Sequence, residues 1–256
     1  MWTKAVRKLI ESRAEKKTGL GSGLFVDEGP KMVAAGLASG LEVERVFLTG
    51  KVPGEGMYGL MRGQSGTEEV SASEMGSVSH LKTPSAALAI VRIPEYRYDH
   101  KTATNKLILA INDVQDPGNM GTVVRIADWY GIRDILCSPA TADCYNPKVV
   151  QATMGALFRV KVHYLDLGET LGVLAREGSE IYGTYLEGED IYRAELTPGG
   201  VIVMGNEGHG ISPLLEPVIT RKLFIPSYPP SSQGSESLNV AVATAITCSE
   251  FRRRLL

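Results

Sequence analysis

Short apolar runs alternate with amphipathic stretches of helical period from residue 106 to the end of the chain. Six runs read as strands: "KLILAIND", "DILCSP", "RVKVHYL", "EIYGTYLEG", "GGVIVMGNEG" and "RKLFIPS". The stretches between and after them read as helices: "NMGTVVRIADWYG", "NPKVVQATMGALF", "GETLGVLAREG", "SPLLEPVI" and a closing helix from Leu238. Such alternation predicts an α/β fold with right-handed crossovers, in which a parallel sheet carries helices on both faces.

The first third of the chain has a different pattern. "LFVDEGPKMVAAGLASG" reads as strand, turn and helix, while "VERVFLTG" and "AALAIVRIP" read as further strands. The polar stretch "PEYRYDHKTATN" has no sustained period and reads as a linker. We therefore predict an N-terminal domain over 1–93, a linker over 94–105 and a second domain over 106–256.

Composition excludes several classes of protein. With 43% hydrophobic and 22% charged residues the chain is globular, and no window is apolar enough to span a membrane. The start of the chain lacks a signal-peptide pattern, so we expect a cytoplasmic protein. Three cysteines and four scattered histidines show no zinc-ligand spacing, which predicts reduced thiols and no metal. The net charge of −2 argues against bulk polyanion binding, although "MWTKAVRKLIESRAEKK" forms a local basic patch, read as a solvated amphipathic helix.

The stretch "DVQDPGNMGTVVRIADWYG" follows the first strand of the second domain. Asn119 is predicted to cap the helix that starts here. At 3.6 residues per turn Arg125 and Trp129 lie one turn apart on the outer face, within reach of a cation–π contact. Because an indole is seldom left in water, we expect this face to meet another surface.

Two further polar loops follow predicted strands. In "MGNEGHGIS" the glycines let the backbone approach a flat ligand, and Glu207 is either an exposed turn carboxylate or a capping or site acid. In "IPSYPPSSQGSESLN" the connection is longer than a strand-to-helix loop normally needs. Ser235, Glu236 and Ser237 suit a helix start, and Asn239 either caps the last helix or reaches a ligand.

Taken together, the three loops resemble the signature motifs of the SpoU (TrmH-like) branch of the SPOUT methyltransferases. The matching pieces are Asn119-Met-Gly-x-x-x-Arg125, Ile-Val-Met-Gly-Asn-Glu207-Gly-x-Gly210, and Ile225-Pro followed by Ser237-Leu-Asn239-Val. The resemblance implies a deep C-terminal trefoil knot, a homodimer formed through the catalytic domain, and S-adenosylmethionine bound in the knot. It also implies an N-terminal RNA substrate-binding domain with a fold like that of a small ribosomal protein.

The same resemblance implies the site residues. Arg125, Asn119, Glu207, Ser237 and Asn239 would be catalytic, and the cofactor would contact Thr184, Met204, Gly205, Gly210, Ile225 and Leu238. The implied reaction methylates a ribose 2′-hydroxyl of RNA, with large-subunit ribosomal RNA ahead of transfer RNA as substrate. Two other classes stay open: an RNA-binding module without activity, against which the intact motif residues argue, and a nucleotide-dependent oxidoreductase, against which the missing glycine fingerprint argues.

Overall fold

The computed structural model describes residues 23–50, 54–103, 106–229 and 237–255. Contacts between residues divide the chain into two compact units, the first comprising residues up to 95 together with 143–159, and the second comprising 96–142 and the chain from 160 onward. The inclusion of 143–159 in the first unit was not indicated by the sequence pattern. The basic segment at residues 1–17 lies outside the described residues, and the domain boundaries stay predictions.

The elements of both units are numbered in chain order. The strands are β1 (Leu24–Glu28), β2 (Val43–Leu48), β3 (Thr67–Glu69), β4 (Ala87–Arg92), β5 (Leu107–Ile111), β6 (Asp134–Cys137), β7 (Lys161–Tyr164), β8 (Ile181–Asp190), β9 (Gly200–Met204) and β10 (Arg221–Phe224). The α-helices are α1 (Pro30–Ala38), α2 (Glu55–Arg62), α3 (Ala72–Gly76), α4 (Pro117–Trp129), α5 (Pro147–Thr153), α6 (Leu167–Arg176) and α7 (Val240–Arg253).

The first unit is built on a four-stranded sheet in the order β1-β4-β2-β3. Strands β1 and β2 are both antiparallel to β4, whereas β2 and β3 are parallel. The predicted strand, turn and helix at "LFVDEGPKMVAAGL" are confirmed: Gly29 takes a φ of 123° that few other residues adopt, and Pro30 begins α1. Helix α5, which follows β6 in the chain, packs against β1.

The second unit confirms the predicted parallel sheet. Its six strands are all parallel, in the order β10-β8-β9-β5-β6-β7. Every residue of β5 is buried, as a strand covered on both faces requires. Helices α4 and α7 pack against each other. Because parallel strands end at one edge, the loops that leave β5, β8, β9 and β10 emerge on the same side of the sheet.

Two predicted helices are shorter than the pattern indicated. "SPLLEPVI" forms a 3₁₀ helix over Pro213–Val218, where Pro217 cannot donate an α-helical hydrogen bond. The helix predicted from "NPKVVQATMGALF" ends at Thr153, because Met154 and Gly155 adopt left-handed conformations, and a 3₁₀ turn follows over Ala156–Phe158. Among the described residues, no helix has the length and apolar character needed to cross a membrane.

Candidate active site at the carboxyl edge of the parallel sheet

Three loops at the carboxyl edge of the parallel sheet contain the polar motifs. Since β5 and β9 are neighbours, the loop after Ile111 and the loop after Met204 emerge side by side. They are tied together, since the Ser212 amide donates to Asn112 Oδ1 at 2.6 Å and Asn206 Nδ2 donates to the Asp113 carbonyl at 2.7 Å. The two loops therefore form one connected surface.

Helix α4 begins at the first of these loops, and its cap differs from the prediction. Asp116, not Asn119, is the N-cap: its side chain accepts from the Asn119 amide at 2.7 Å, and Pro117 occupies the first helical position. The prediction for Asn119 was wrong because aspartate three residues earlier already satisfies that amide. As a result the Asn119 side chain is free to bond elsewhere.

Asn119 joins the other two loops. Its Nδ2 donates to Glu207 Oε1 at 2.8 Å, and its Oδ1 accepts from Asn239 Nδ2 at 3.0 Å. A carboxylate only accepts, so the amide of Asn119 must face Glu207 with its NH₂ group and Asn239 with its oxygen. We call these three side chains the Asn119 network.

Asn239 takes the capping role of the two that the sequence left open, and it also contacts another predicted site residue. Its Oδ1 accepts from the amides of Ala241 and Val242 and so caps α7, while its Nδ2 reaches Asn119. Glu207 is exposed, as a turn carboxylate would be, yet it accepts a hydrogen bond within the Asn119 network. Asn119 of the first motif thus bonds one residue from each of the other two motifs.

The loop after β9 is folded tightly on itself. Asn206 and Gly210 form a backbone bridge, and Asn206 Oδ1 accepts from the amides of Gly208 and His209. A Cβ added at Gly205 would overlap the main chain of Gly210. Gly205 is therefore required by contact of the chain with itself, a reason that differs from the ligand approach predicted for these glycines.

Arg125 and Trp129 lie on the outer face of α4, as predicted. Arg125 is exposed and makes no hydrogen bond or ion pair with any described residue, and Trp129 is 84% exposed. The cation–π contact that their spacing would allow is not formed: the cation–π pairs found in the described part of the chain do not include Arg125 with Trp129. Neither side chain touches the Asn119 network through a hydrogen bond.

Most of the residues predicted to contact a cofactor lie at or after strand ends, whereas Thr184 lies within β8. Met204 is buried at the end of β9, and half-buried Thr184 donates from Oγ1 to the Val203 carbonyl at 2.9 Å. Ile225 is half-buried just after β10, and Leu238, 49% exposed, directly precedes the cap of α7. Gly210 lies in the exposed loop with a φ of 70°, and Ser237 is exposed with no described hydrogen bond.

Two residues that shape this site were not among the predicted ones. Asp116 caps α4, and Asn206 holds the second loop against the first. Aspartate three residues before Asn119 and directly before a proline was the available signal for the cap. The role of Asn206 depends on contacts across 93 residues, which no local pattern displays.

Neither thiol chemistry nor a metal is indicated by the described residues. All three cysteines are free and buried, and burial raises the pKa of Cys137 and raises that of Cys248 to about 12. Within the described ranges, no three histidine, cysteine or acidic side chains are placed to hold a metal ion.

Comparison with known proteins gives a consistent result. Residues 106–249 match the model of the SpoU rRNA Methylase family. The Bacillus subtilis 23S rRNA (guanosine(2553)-2′-O)-methyltransferase RlmP is 30% identical over 249 residues, which cover 96% of this chain and 94% of that protein. A solved structure from Porphyromonas gingivalis, assigned to the TrmH family of RNA methyltransferases, is 37% identical with a TM-score of 0.85 and covers 99% of both chains. A solved AdoMet-bound rRNA methyltransferase from Sinorhizobium meliloti is 25% identical with a TM-score of 0.84, covering 100% of this chain and 97% of its own.

Proposed function

The chain belongs to the SpoU rRNA methylase family, and from this membership we propose that it methylates a ribose 2′-hydroxyl in large-subunit ribosomal RNA with S-adenosylmethionine as donor. The full-length match to RlmP, named for 2′-O-methylation of 23S rRNA, supports the ribose and the ribosomal substrate. The match to an AdoMet-bound rRNA methyltransferase supports the cofactor.

One observation in the fold carries this proposal to particular residues. The Asn119 network joins the three motif loops through two hydrogen bonds of 2.8 and 3.0 Å. A network that spans 120 residues of sequence, at the edge where parallel sheets bind ligands, is the arrangement expected of a reaction site. We propose that Asn119, Glu207 and Asn239 fix the geometry of this site, together with Ser237 from the third loop.

The predicted cofactor residues fit S-adenosylmethionine by their chemistry. Met204, Ile225 and Leu238 are apolar, and Leu238 and Val242 each expose 49% of their surface. Apolar walls with a few polar groups suit a purine. When bound, S-adenosylmethionine would supply a methyl group already activated by its sulfonium. The protein would then mainly have to align the ribose 2′-hydroxyl and help remove the hydroxyl proton.

We propose that Arg125 binds the RNA and does not act as a base. A guanidinium titrates above about 12 and accepts a proton poorly near neutral pH. Because Arg125 is exposed and has no described partner, its fork is available to grip the phosphate next to the target ribose. The same fork would donate to the 2′-oxygen as negative charge develops there.

We extend the proposal to the chain path and the assembly. The family resemblance supports a trefoil knot in the region of the second and third loops and a homodimer through the catalytic domain. Trp129, 84% exposed on α4, supports the dimer, because burying an indole against a second copy removes a large apolar surface from water. In sedimentation, Trp129→Glu should shift the dimer towards monomer; an unchanged dimer would remove α4 from the interface.

The N-terminal domain over 1–93 is proposed to bind the RNA, and the substrate would place the protein in the cytoplasm, where we expected it. The reaction is tested by transfer of labelled methyl from S-adenosylmethionine to total RNA from a strain lacking the gene, followed by mapping of the product. We expect one labelled ribose 2′-oxygen in large-subunit RNA.

The matched variants separate the role of Arg125 from general charge. Arg125→Lys keeps the charge but loses the fork, so most activity should be lost while cofactor affinity stays near wild type. Arg97→Lys, an exposed arginine outside the site, is the control and should keep full activity. Full activity in Arg125→Lys would refute the proposed contact of the guanidinium with the phosphate. In the transfer assay, label only in transfer RNA would identify transfer RNA as the substrate, and no label in any RNA would indicate a module that binds RNA without catalysis.

A further inference from the structure

A cavity of about 360 Å³ lies in the first unit, whereas the residues proposed above for catalysis belong to the second. It lies beside the carboxyl end of β1, between the loop after α3 and helix α5. All of its lining residues belong to the first unit, and none belongs to the Asn119 network or to the predicted cofactor set. The proposed catalytic and cofactor-binding roles therefore do not account for this cavity.

The walls of the cavity are mainly apolar. Val26, Leu81, Pro147 and Ala152 line it. A volume of this size is near the lower end for small-molecule sites, where a single ring system with its substituents fits. A ligand with a flat ring and the size of one nucleotide therefore matches the space.

One buried carboxylate, Glu28, fixes the cavity in shape. Glu28 is 4% exposed and accepts from the Ser79 hydroxyl, from the His80 amide at 3.1 Å and from the Ser85 amide at 3.4 Å. These bonds fasten the loop over 79–85 onto β1. A carboxylate offers about four acceptor positions, so one remains for a donor such as the N–H of a base edge.

The rim of the cavity adds groups suited to a nucleotide. His80 and Lys148 are exposed there, and Gln151 is half-buried. An imidazole can stack on a base, an amide can bond its edge, and an ammonium can meet a phosphate. The exposed rim thus offers Lys148 to a phosphate, while the buried carboxylate of Glu28, the single acidic residue of the lining, offers its remaining acceptor position to a base edge.

We propose that this cavity binds one unstacked nucleotide of the RNA substrate and so contributes to substrate selection. Sequence-specific RNA recognition commonly takes bases out of the stack into such pockets. The inference rests on the proposed RNA methylation for the identity of the substrate, while occupancy of the cavity by a nucleotide is measurable without any methyl transfer.

The direct test uses the full chain labelled with ¹³C at its methionine methyl groups. Met154 lines the cavity, whereas Met61 is buried in α2 and reports on general disturbance. AMP, GMP, CMP and UMP are added in turn. We expect at least one to move the Met154 signal saturably, to leave Met61 unmoved, and to lose its effect in Ala152→Phe, which fills the cavity. No saturable movement with any of the four, or the same movement in Ala152→Phe, overturns the proposal.

Kinetics supply the second test. Ala152→Phe and Gln151→Ala should each raise the KM for RNA about fivefold, the lower end of what one stacked base contributes, with kcat unchanged. Gln64→Ala, a half-exposed glutamine of the same unit outside the cavity, is the matched control and should leave KM unchanged. If Ala152→Phe is folded and its KM is that of wild type, the proposal fails. Should wild type transfer no methyl group, the proposed function fails instead, and the methionine signals still decide the cavity.

Discussion

Asp27 lets the electrostatics of the first unit be tested with one substitution. Its carboxylate is 0% exposed on β1, and neither oxygen accepts a hydrogen bond of normal geometry from a described residue. A Cβ added at Gly36 of α1 would lie 3.5 Å from Asp27 Oδ2 and 3.1 Å from the ring of Phe158, so the carboxylate is covered by packed side chains. The pKa of Asp27 is raised to about 7. Burial is the largest cause, a hydrogen bond from the Glu28 amide lowers the pKa by a smaller amount, and the charge of Glu28 adds to the increase.

The sign of the effect on stability follows from this raised pKa. An acid whose pKa is higher in the folded state holds its proton longer there, so stability is greatest below the unfolded pKa of 3.8 and falls as pH rises through about 7. At 1.36 kcal/mol per pKa unit the full loss is about 4 kcal/mol, of which about 1.5 kcal/mol is already present at pH 5. Asp27→Asn has no proton to lose and escapes this loss.

Urea unfolding followed by circular dichroism at pH 5, 6, 7 and 8 measures the difference. We expect the stability advantage of Asp27→Asn over wild type to grow by about 2.5 kcal/mol between pH 5 and pH 8. Glu95→Gln removes an equal formal charge from an exposed position of the same unit and should show no such growth. Parallel curves for wild type and Asp27→Asn would show that the carboxylate does not lose its proton near pH 7, and the reasoning from burial would be refuted.

Three further substitutions test the reaction site. Asn239→Asp keeps the cap of α7 but loses the amide that donates to Asn119. The free energy of unfolding should therefore stay within about 0.5 kcal/mol of wild type, while kcat falls at least about tenfold. Equal activity would show that the contact is dispensable. Asp116→Ala removes the cap of α4 and should cost about 1 kcal/mol in urea unfolding; no loss would mean that water replaces the cap. Gly205→Ala places a Cβ against the main chain of Gly210 and should lower Tm by more than about 5 °C. Gly59→Ala in α2 is the control: its Cβ meets open space, so Tm should rise slightly. Equal Tm values would contradict the close contact between Gly205 and Gly210.

The parallel sheet was predictable because its central strands β5, β6 and β9 are almost continuously buried. A run such as that of β5 has no polar position, so it reads as a strand between helices whatever lies around it. The first unit was harder. Strand β3 spans only Thr67–Glu69 and helix α3 only Ala72–Gly76, lengths at which no period can be counted. The placement of 143–159 with the first unit depends on packing of α5 against β1, which is a contact between distant segments.

For three of the predicted site residues, the structure shows a connection that the sequence could not display. Motif spacing selected Asn119, Glu207 and Asn239, and the structure brings these three together by hydrogen bonds. Arg125 and Trp129 were placed on the outer face correctly because helical spacing alone decides it. The mutual contact that their spacing would allow is not formed, since side chains one turn apart in water gain little from pairing and either can turn away.

The error over the cap of α4 explains why the first motif needs more than asparagine. The side-chain oxygen of an asparagine at the cap position would accept from the helix amides, as that of Asn239 does in α7. In α4 that role falls to Asp116, and Gly118 leaves room for the aspartate, because a Cβ there would lie 3.1 Å from Asp116 Oδ1. Asn119 then stands in the first turn with both ends of its amide free, and it is this freedom that lets it bond Glu207 and Asn239 at once. The aspartate, the glycine and the asparagine therefore act as one unit, and the chemistry assigned to Asn119 depends on two neighbours that never touch Glu207 or Asn239 by a hydrogen bond.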